Sequence, residues 1–144
     1  MVGLFKTKKS ANRVKILVVD DEPDFIDIVK SGIKSYQYDV ITAANGSEAL
    51  EKAQIEKPDL ILLDVKMPIM DGYEMLKRLR NHQNLKDTAV IMVTKFYQPK
   101  DIAFASSYGI ADYVVKPFNL TDLVEKIENT LQNKNLSQSV KTIL

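Results

Sequence analysis

The sequence predicts an α/β protein, a doubly wound five-stranded parallel sheet with helices on both faces. Three observations predict it. Short β-branched apolar runs alternate five times with apolar residues at helical spacing. The segments between them are short and rich in Pro, Gly, Asn and Asp, the residues of turns and caps. The strand-length runs are nearly continuous in apolar character, as strands covered on both faces must be.

The first run covers residues 14–19 and stops at Asp20-Asp21-Glu22-Pro23. Acidic residues suit a helix N-terminus, and Phe25, Ile28, Val29 and Ile33 then fall on one face of a helix. Residues 38–42 read as a second strand, and Asn45-Gly46-Ser47 supplies capping chemistry for a helix carrying Ala49, Leu50 and Ala53, closed by Pro58. Leu60-Ile61-Leu62-Leu63 is the third strand and ends on Asp64. Pro68 and Asp71-Gly72 break the chain before a helix over 73–81, with Tyr73, Leu76 and Leu79 spaced by threes.

The fourth strand spans 89–93 and ends at Thr94. Pro99 suits the first turn of a fourth helix bearing Ile102, Ala103 and Ala105, which Gly109 should terminate. Residues 113–115 form a short fifth strand that runs into Lys116-Pro117, an X-Pro bond of the kind that tolerates the cis form. Asn119 can cap a last helix with Leu120, Leu123, Val124, Ile127 and Leu131 on one face. From Asn133 the apolar pattern dissolves. We therefore expect a flexible basic tail over 1–13, one folded domain over 14–132 and a frayed polar tail over 133–144.

Bulk properties fit this division. A chain of 144 residues with 45% apolar and 27% charged residues falls in the range of one globular domain. Its net charge of +1 is not that of a protein that binds nucleic acid by charge alone. It contains no Cys, so disulfides and thiolate chemistry are excluded. No apolar run approaches membrane-spanning length, and the default expectation is a cytoplasmic protein without membrane insertion.

Five alternating units with right-handed crossovers suit the compact flavodoxin-like order 2-1-3-4-5. That order brings Asp20 and Asp21, at the end of strand one, beside Asp64 at the end of strand three. Three converging carboxylates repel one another unless a cation joins them, and hard oxygen donors favour Mg²⁺ or Mn²⁺. Thr94 and Lys116 end strands four and five on the same edge. A hydroxyl, an ammonium and a divalent cation supply what a phosphoryl group needs, with Asp64 as the nucleophile that would carry it.

The segments Val18-Val19-Asp20-Asp21-Glu22-Pro23, Leu62-Leu63-Asp64-Val65-Lys66-Met67-Pro68 with Asp71-Gly72, Val93-Thr94 and Tyr113-Val114-Val115-Lys116-Pro117-Phe118 together resemble the receiver domain of two-component response regulators. The resemblance covers roughly residues 14–131. It implies that Asp64 takes a phosphoryl group from a phosphohistidine on a sensor histidine kinase or a histidine phosphotransfer protein. It also implies that Asp20, Asp21, Asp64 and the backbone carbonyl of Lys66 hold the metal, that Thr94 and Lys116 contact the phosphoryl oxygens, and that Tyr113 is an aromatic switch residue. By the same analogy, output is a protein contact on helix four, strand five and helix five, near Ile102, Ser106 and Lys126. The chain would act there as a monomer or as a phosphorylation-dependent dimer, without touching nucleic acid directly.

Two departures stand out. Lys95 follows Thr94 where the family usually carries a small residue, and Phe96 and Tyr97 come next. Lys66 and Phe96 flank the path of a water attacking an aspartyl phosphate, so an atypical phosphate lifetime is expected. Two rival readings are a phosphorylation-independent pseudo-receiver and an aspartate-nucleophile phosphohydrolase. The hydrolase is disfavoured because Lys66 occupies the place where such enzymes put a general acid.

Overall fold

The computed structural model describes residues 13–143. The expectation for residues 1–12 lies outside the described residues. Five parallel strands form one sheet: β1 (Lys15–Val19), β2 (Asp39–Ala43), β3 (Leu60–Leu63), β4 (Ala89–Thr94) and β5 (Asp112–Val115). Their order is β2-β1-β3-β4-β5, with every neighbouring pair parallel, as the alternation of elements predicts. Among the described residues five α-helices connect and follow them: α1 (Pro23–Ile33), α2 (Gly46–Glu56), α3 (Gly72–Arg80), α4 (Pro99–Ser107) and α5 (Leu120–Ile143), with a short 3₁₀ turn over Lys34–Tyr36.

The period of two along each strand sorts its side chains onto two cores. Leu17, Val19, Ile61, Leu63, Val90 and Met92 face Ala49 and Ala53 of α2 and Met75, Leu76 and Leu79 of α3. Ile16, Val18, Leu60, Leu62, Ile91, Val93 and Val114 face Phe25, Val29 and Ile33 of α1 and Leu123, Val124 and Ile127 of α5. Each such aliphatic side chain removed from water contributes about 1.5–3 kcal/mol. The sheet is therefore a rigid floor, and its strand ends are fixed positions.

Helix ends use the chemistry written in the sequence. Asn45 accepts the Glu48 N–H at 2.9 Å to open α2, and Asp71 accepts the Glu74 N–H at 2.9 Å to open α3. Pro99 stands at the start of α4, whose end leads to Gly109 at φ 72°. Arg80, at the end of α3, donates to the carbonyl oxygens of Tyr108, Lys86, Thr88 and Gly109, tying α4's exit to the entry of β4.

Three details differ from expectation. Ile28 is 58% exposed, because the stripe of α1 centres on Phe25, Val29 and Ile33 and gives the flank to Ile26 instead. On α4 only Ala105 is buried; Ile102 and Ala103 face solvent, since this short helix touches the sheet along one narrow line. The backbone of α5 runs on to Ile143 although the apolar pattern weakens after Leu131. No Pro or Gly after Pro117 interrupts it, and Lys134 reaches the Asp59 carbonyl at 3.2 Å. Among the described residues no helix is long and apolar enough to cross a membrane.

Candidate functional site

The carboxyl ends of the strands gather the candidate residues. Asp20 is the first residue past β1, held where its N–H donates to the Ala43 carbonyl of β2 at 3.0 Å. Asp64 follows β3, and its N–H donates to the Val19 carbonyl at 3.0 Å. Thr94 closes β4, and its carbonyl accepts the N–H of Lys116, just past β5, at 2.9 Å. Sheet hydrogen bonds thus set the spacing of the four groups. Gly72 packs so closely beneath Asp64 that a Cβ there would lie 2.0 Å from the Asp64 carbonyl oxygen. The loop carrying the acid is pinned by that approach, and the Gly72 N–H donates to the Val65 carbonyl at 2.7 Å.

Lys116 joins the acids. Its Nζ lies 2.5 Å from Asp20 Oδ2 and 3.3 Å from Asp64 Oδ2, and all three side chains are buried, at 8%, 0% and 8% exposure. The Lys116–Pro117 peptide is cis. The same ammonium sits 3.9 Å from the centroid of the Phe25 ring, a cation–π contact, and Phe118 meets Phe25 edge-on at 5.7 Å. Burial pushes the Asp20 carboxyl above its ordinary value, against the opposing hydrogen bond from Lys116. Burial alone would lower Lys116, but the Asp20 hydrogen bond and the charges of Asp64 and Asp20 outweigh it and raise the ammonium above its usual range.

One carboxylate oxygen from each of Asp20, Asp21, Glu22 and Asp64 lies within 4.8 Å of the others. Hard, closely spaced, partly solvated oxygens fit Mg²⁺, which keeps several waters and suits an open acidic pocket. The adjoining cavity of about 320 Å³ is lined by Asp21, Glu22, Asp64, Lys66, Lys95 and Phe96. Both Lys66 and Phe96 therefore stand at the mouth, as their positions after Asp64 and Thr94 suggest.

Thr94 is fully buried, and its hydroxyl accepts the Phe96 N–H at 3.2 Å. The Phe96 carbonyl accepts the hydroxyl of Tyr113. Phe96 is thus held through its N–H by Thr94 and through its carbonyl by Tyr113, on two successive peptide units. Close by, the Tyr73 hydroxyl is buried without a hydrogen-bond partner. Burial, then the charge and hydrogen-bonding groups of the neighbouring Tyr113 and Asp101, pushes that phenol well above its ordinary value; the contacts to those two are too long or bent to count as formed hydrogen bonds.

Sequence reasoning named Asp20, Asp21, Asp64, Thr94, Lys116, Tyr113 and Lys66. The structure brings Asp20, Asp21, Asp64 and Lys116 together directly, and it ties Thr94 to Tyr113 through Phe96. It adds Glu22 and Phe25, which the sequence reading had given only helix-opening and core roles. The adjacency of Glu22 to two acids was a usable signal. Nothing in the sequence placed the Phe25 ring against an ammonium 91 residues away.

A doubly wound sheet with an acidic pocket and a lysine at its carboxyl edge is an open α/β domain with its site where such sheets bind ligands. The chain belongs to the response regulator receiver domain family, whose match covers residues 16–128. It is 37% identical over 123 residues to the alkaline phosphatase synthesis transcriptional regulatory protein PhoP of Bacillus subtilis, covering 85% of this chain and 50% of that protein. It is 41% identical over 118 residues to the probable transcriptional regulator ycf27 of Pyropia yezoensis, covering 82% and 47%. The chain thus spans about half the length of the curated relatives it matches. Among solved structures, a CheY-like receiver domain protein of Methanospirillum hungatei superposes with a TM-score of 0.82 at 32% identity, covering 88% of this chain and 99% of that one. Chemotaxis protein CheY4 of Vibrio cholerae gives 0.77 at 35% identity, covering 82% and 98%. This is a receiver domain of two-component systems, a signalling family in which a phosphoacceptor role and Mg²⁺ at an acidic pocket are typical.

Proposed function

We propose that Asp64 is the phosphoacceptor, taking its phosphoryl group from a phosphohistidine on a sensor histidine kinase or histidine phosphotransfer protein. The observation that carries this reading is the buried Lys116 ammonium shared by Asp20 and Asp64 at the strand ends. In the transfer, an Asp64 oxygen forms a bond to phosphorus as the phosphorus–nitrogen bond breaks and the imidazole departs. Asp64 Oδ1 already accepts the Val65 N–H at 2.7 Å, which fixes the carboxylate plane. Lys116 would move its hydrogen bond onto a phosphoryl oxygen, and Thr94 would donate its hydroxyl to another. A divalent cation, Mg²⁺ or Mn²⁺, held by Asp20, Asp21, Asp64 and the Lys66 carbonyl, would neutralise phosphoryl charge.

Switching follows from the Phe96 backbone. When the Thr94 hydroxyl turns to a phosphoryl oxygen it releases the Phe96 N–H, and the backbone of Phe96, whose carbonyl holds Tyr113 in the next peptide unit, is freed to adjust. The setting of Tyr113 then changes the surface made by α4, β5 and α5, where a downstream protein would bind. Ile102 and Ser106 are exposed on that face. The domain works as a phosphoacceptor in the cytoplasm, as a monomer or a phosphorylation-dependent dimer, with protein contact as its output.

Intact mass after incubation with Mg²⁺ and a small phosphoryl donor tests the reading. One phosphoryl group is gained by the wild type and none by Asp64→Asn. Steady hydrolysis of phosphate esters with no accumulating adduct would instead indicate a phosphohydrolase. No adduct from either a small donor or a phosphohistidine protein would indicate a pseudo-receiver.

A further inference from the structure

Beside the acidic pocket lies a second and larger cavity of about 640 Å³, between the loop after β3 and the loop after β4. Its volume is that of a small-molecule site. Lys66, Lys95 and Phe96 line both cavities and form the wall between them.

The charge in this cavity is unbalanced. Lys66, Lys95 and Lys100 line it, and none of them enters an ion pair among the described residues. Its two acids are committed to the backbone, Asp71 to the Glu74 N–H at 2.9 Å and Asp101 to the Gln98 N–H at 3.1 Å. Three exposed ammonium groups therefore stand against two carboxylates that each keep their charge, leaving the lining with one net positive charge. Between the lysines are aromatic surfaces, with Phe96 40% and Tyr97 63% exposed. Large exposed rings in a concave basic setting suit a planar ligand that carries negative charge.

Exposed rings and unpaired cations thus converge on one concave surface.

We propose that this side cavity binds a small organic anion with a planar ring, its charge on Lys95 and Lys100 and its ring against Tyr97. The site is separate from the phosphoacceptor pocket, but the shared wall of Lys66, Lys95 and Phe96 lets its occupancy reach Asp64. Phenyl phosphate and benzoate serve as probes, with inorganic phosphate lacking the ring and phenol lacking the charge. Each is titrated into the ¹⁵N-labelled full chain without Mg²⁺, and amide shifts are followed.

Both aryl anions should saturate shifts at Tyr97, Lys100 and Asp101, and bind more tightly than inorganic phosphate or phenol. The Lys95→Gln, Lys100→Gln double variant should weaken them by about tenfold or more, since it removes both ammonium groups that hold the charge. Tyr97→Ser should weaken them while leaving inorganic phosphate unaffected, and Asp64→Asn should retain them. The proposal is overturned if inorganic phosphate binds as well as phenyl phosphate. It also fails if shifts are confined to Asp21 and Asp64 and vanish in Asp64→Asn, or if no probe gives a saturable shift at millimolar concentration.

Discussion

Among the described residues Lys116 is the positive charge that the buried acids share, so its removal has a definite sign. Lys116→Met leaves Asp20 and Asp64 facing each other without a counter-charge, and breaking a buried pair in this way costs about 3–5 kcal/mol. Urea denaturation in a chelator should show that loss. Added Mg²⁺ should then stabilise the variant more than the wild type, because a more negative pocket binds the cation more tightly. An equal Mg²⁺ shift in both proteins would place the metal away from these acids. Lys66 and Phe96 lead to a kinetic expectation, since both line the mouth through which water reaches Asp64. After phosphorylation and donor removal, a Lys66→Ala, Phe96→Ala double variant should lose its phosphate at a rate different from wild type. Identical decay followed by intact mass removes any role for the two in timing.

The elements themselves were legible where local chemistry decides them. Asn45, Asp71, Pro99 and Gly109 mark helix ends in the sequence and do so in the structure. Glu48 extends this to a measurable effect. It accepts the Ala44 N–H at 3.1 Å and pairs with Lys52 at 3.0 Å, and these, the backbone bond foremost, hold its carboxyl below its ordinary value of 4.5. A carboxylate whose folded pKa is lowered contributes stability that is complete above its ordinary pKa and disappears as pH falls through the lowered one. The advantage of wild type over Glu48→Gln in thermal midpoint should therefore be full near neutral pH and shrink on acidification below 4.5, with a small amplitude because the pair is partly solvated. An advantage that grows on acidification would reverse the assignment. What local chemistry could not show was the phase of α1 or the narrow contact of α4. Ile28 satisfies the helical spacing as well as Ile26 does, and only the position of the sheet chooses between them.

At the scale of the molecule, parallel pairing follows from the alternation of elements, the order 2-1-3-4-5 is the one that five compact units suit, and the site follows from that order. Asp20, Asp64, Thr94 and Lys116 were legible because each ends an apolar run, and a parallel sheet aligns such ends on one edge. Contacts between helix and loop, such as Phe25 with Lys116 or Tyr113 with Phe96, depend on packing that no local pattern encodes. The same distinction bears on where the folded unit ends. Leu123, Val124, Ile127 and Thr130 are the buried residues of α5 among those whose side chains are described, and all precede Gln132. Beyond that point Lys134 meets Asp59 at 3.5 Å, with side chains 29% and 42% exposed, an arrangement worth about 0–1 kcal/mol after solvent screening. A chain ending at Gln132 should keep a cooperative urea transition with an unchanged slope, lose about 1 kcal/mol or less, and still accept one phosphoryl group at Asp64. A loss of several kcal/mol, or a transition of lower slope, would mean that the continuation of α5 belongs to the core of the receiver rather than extending from it.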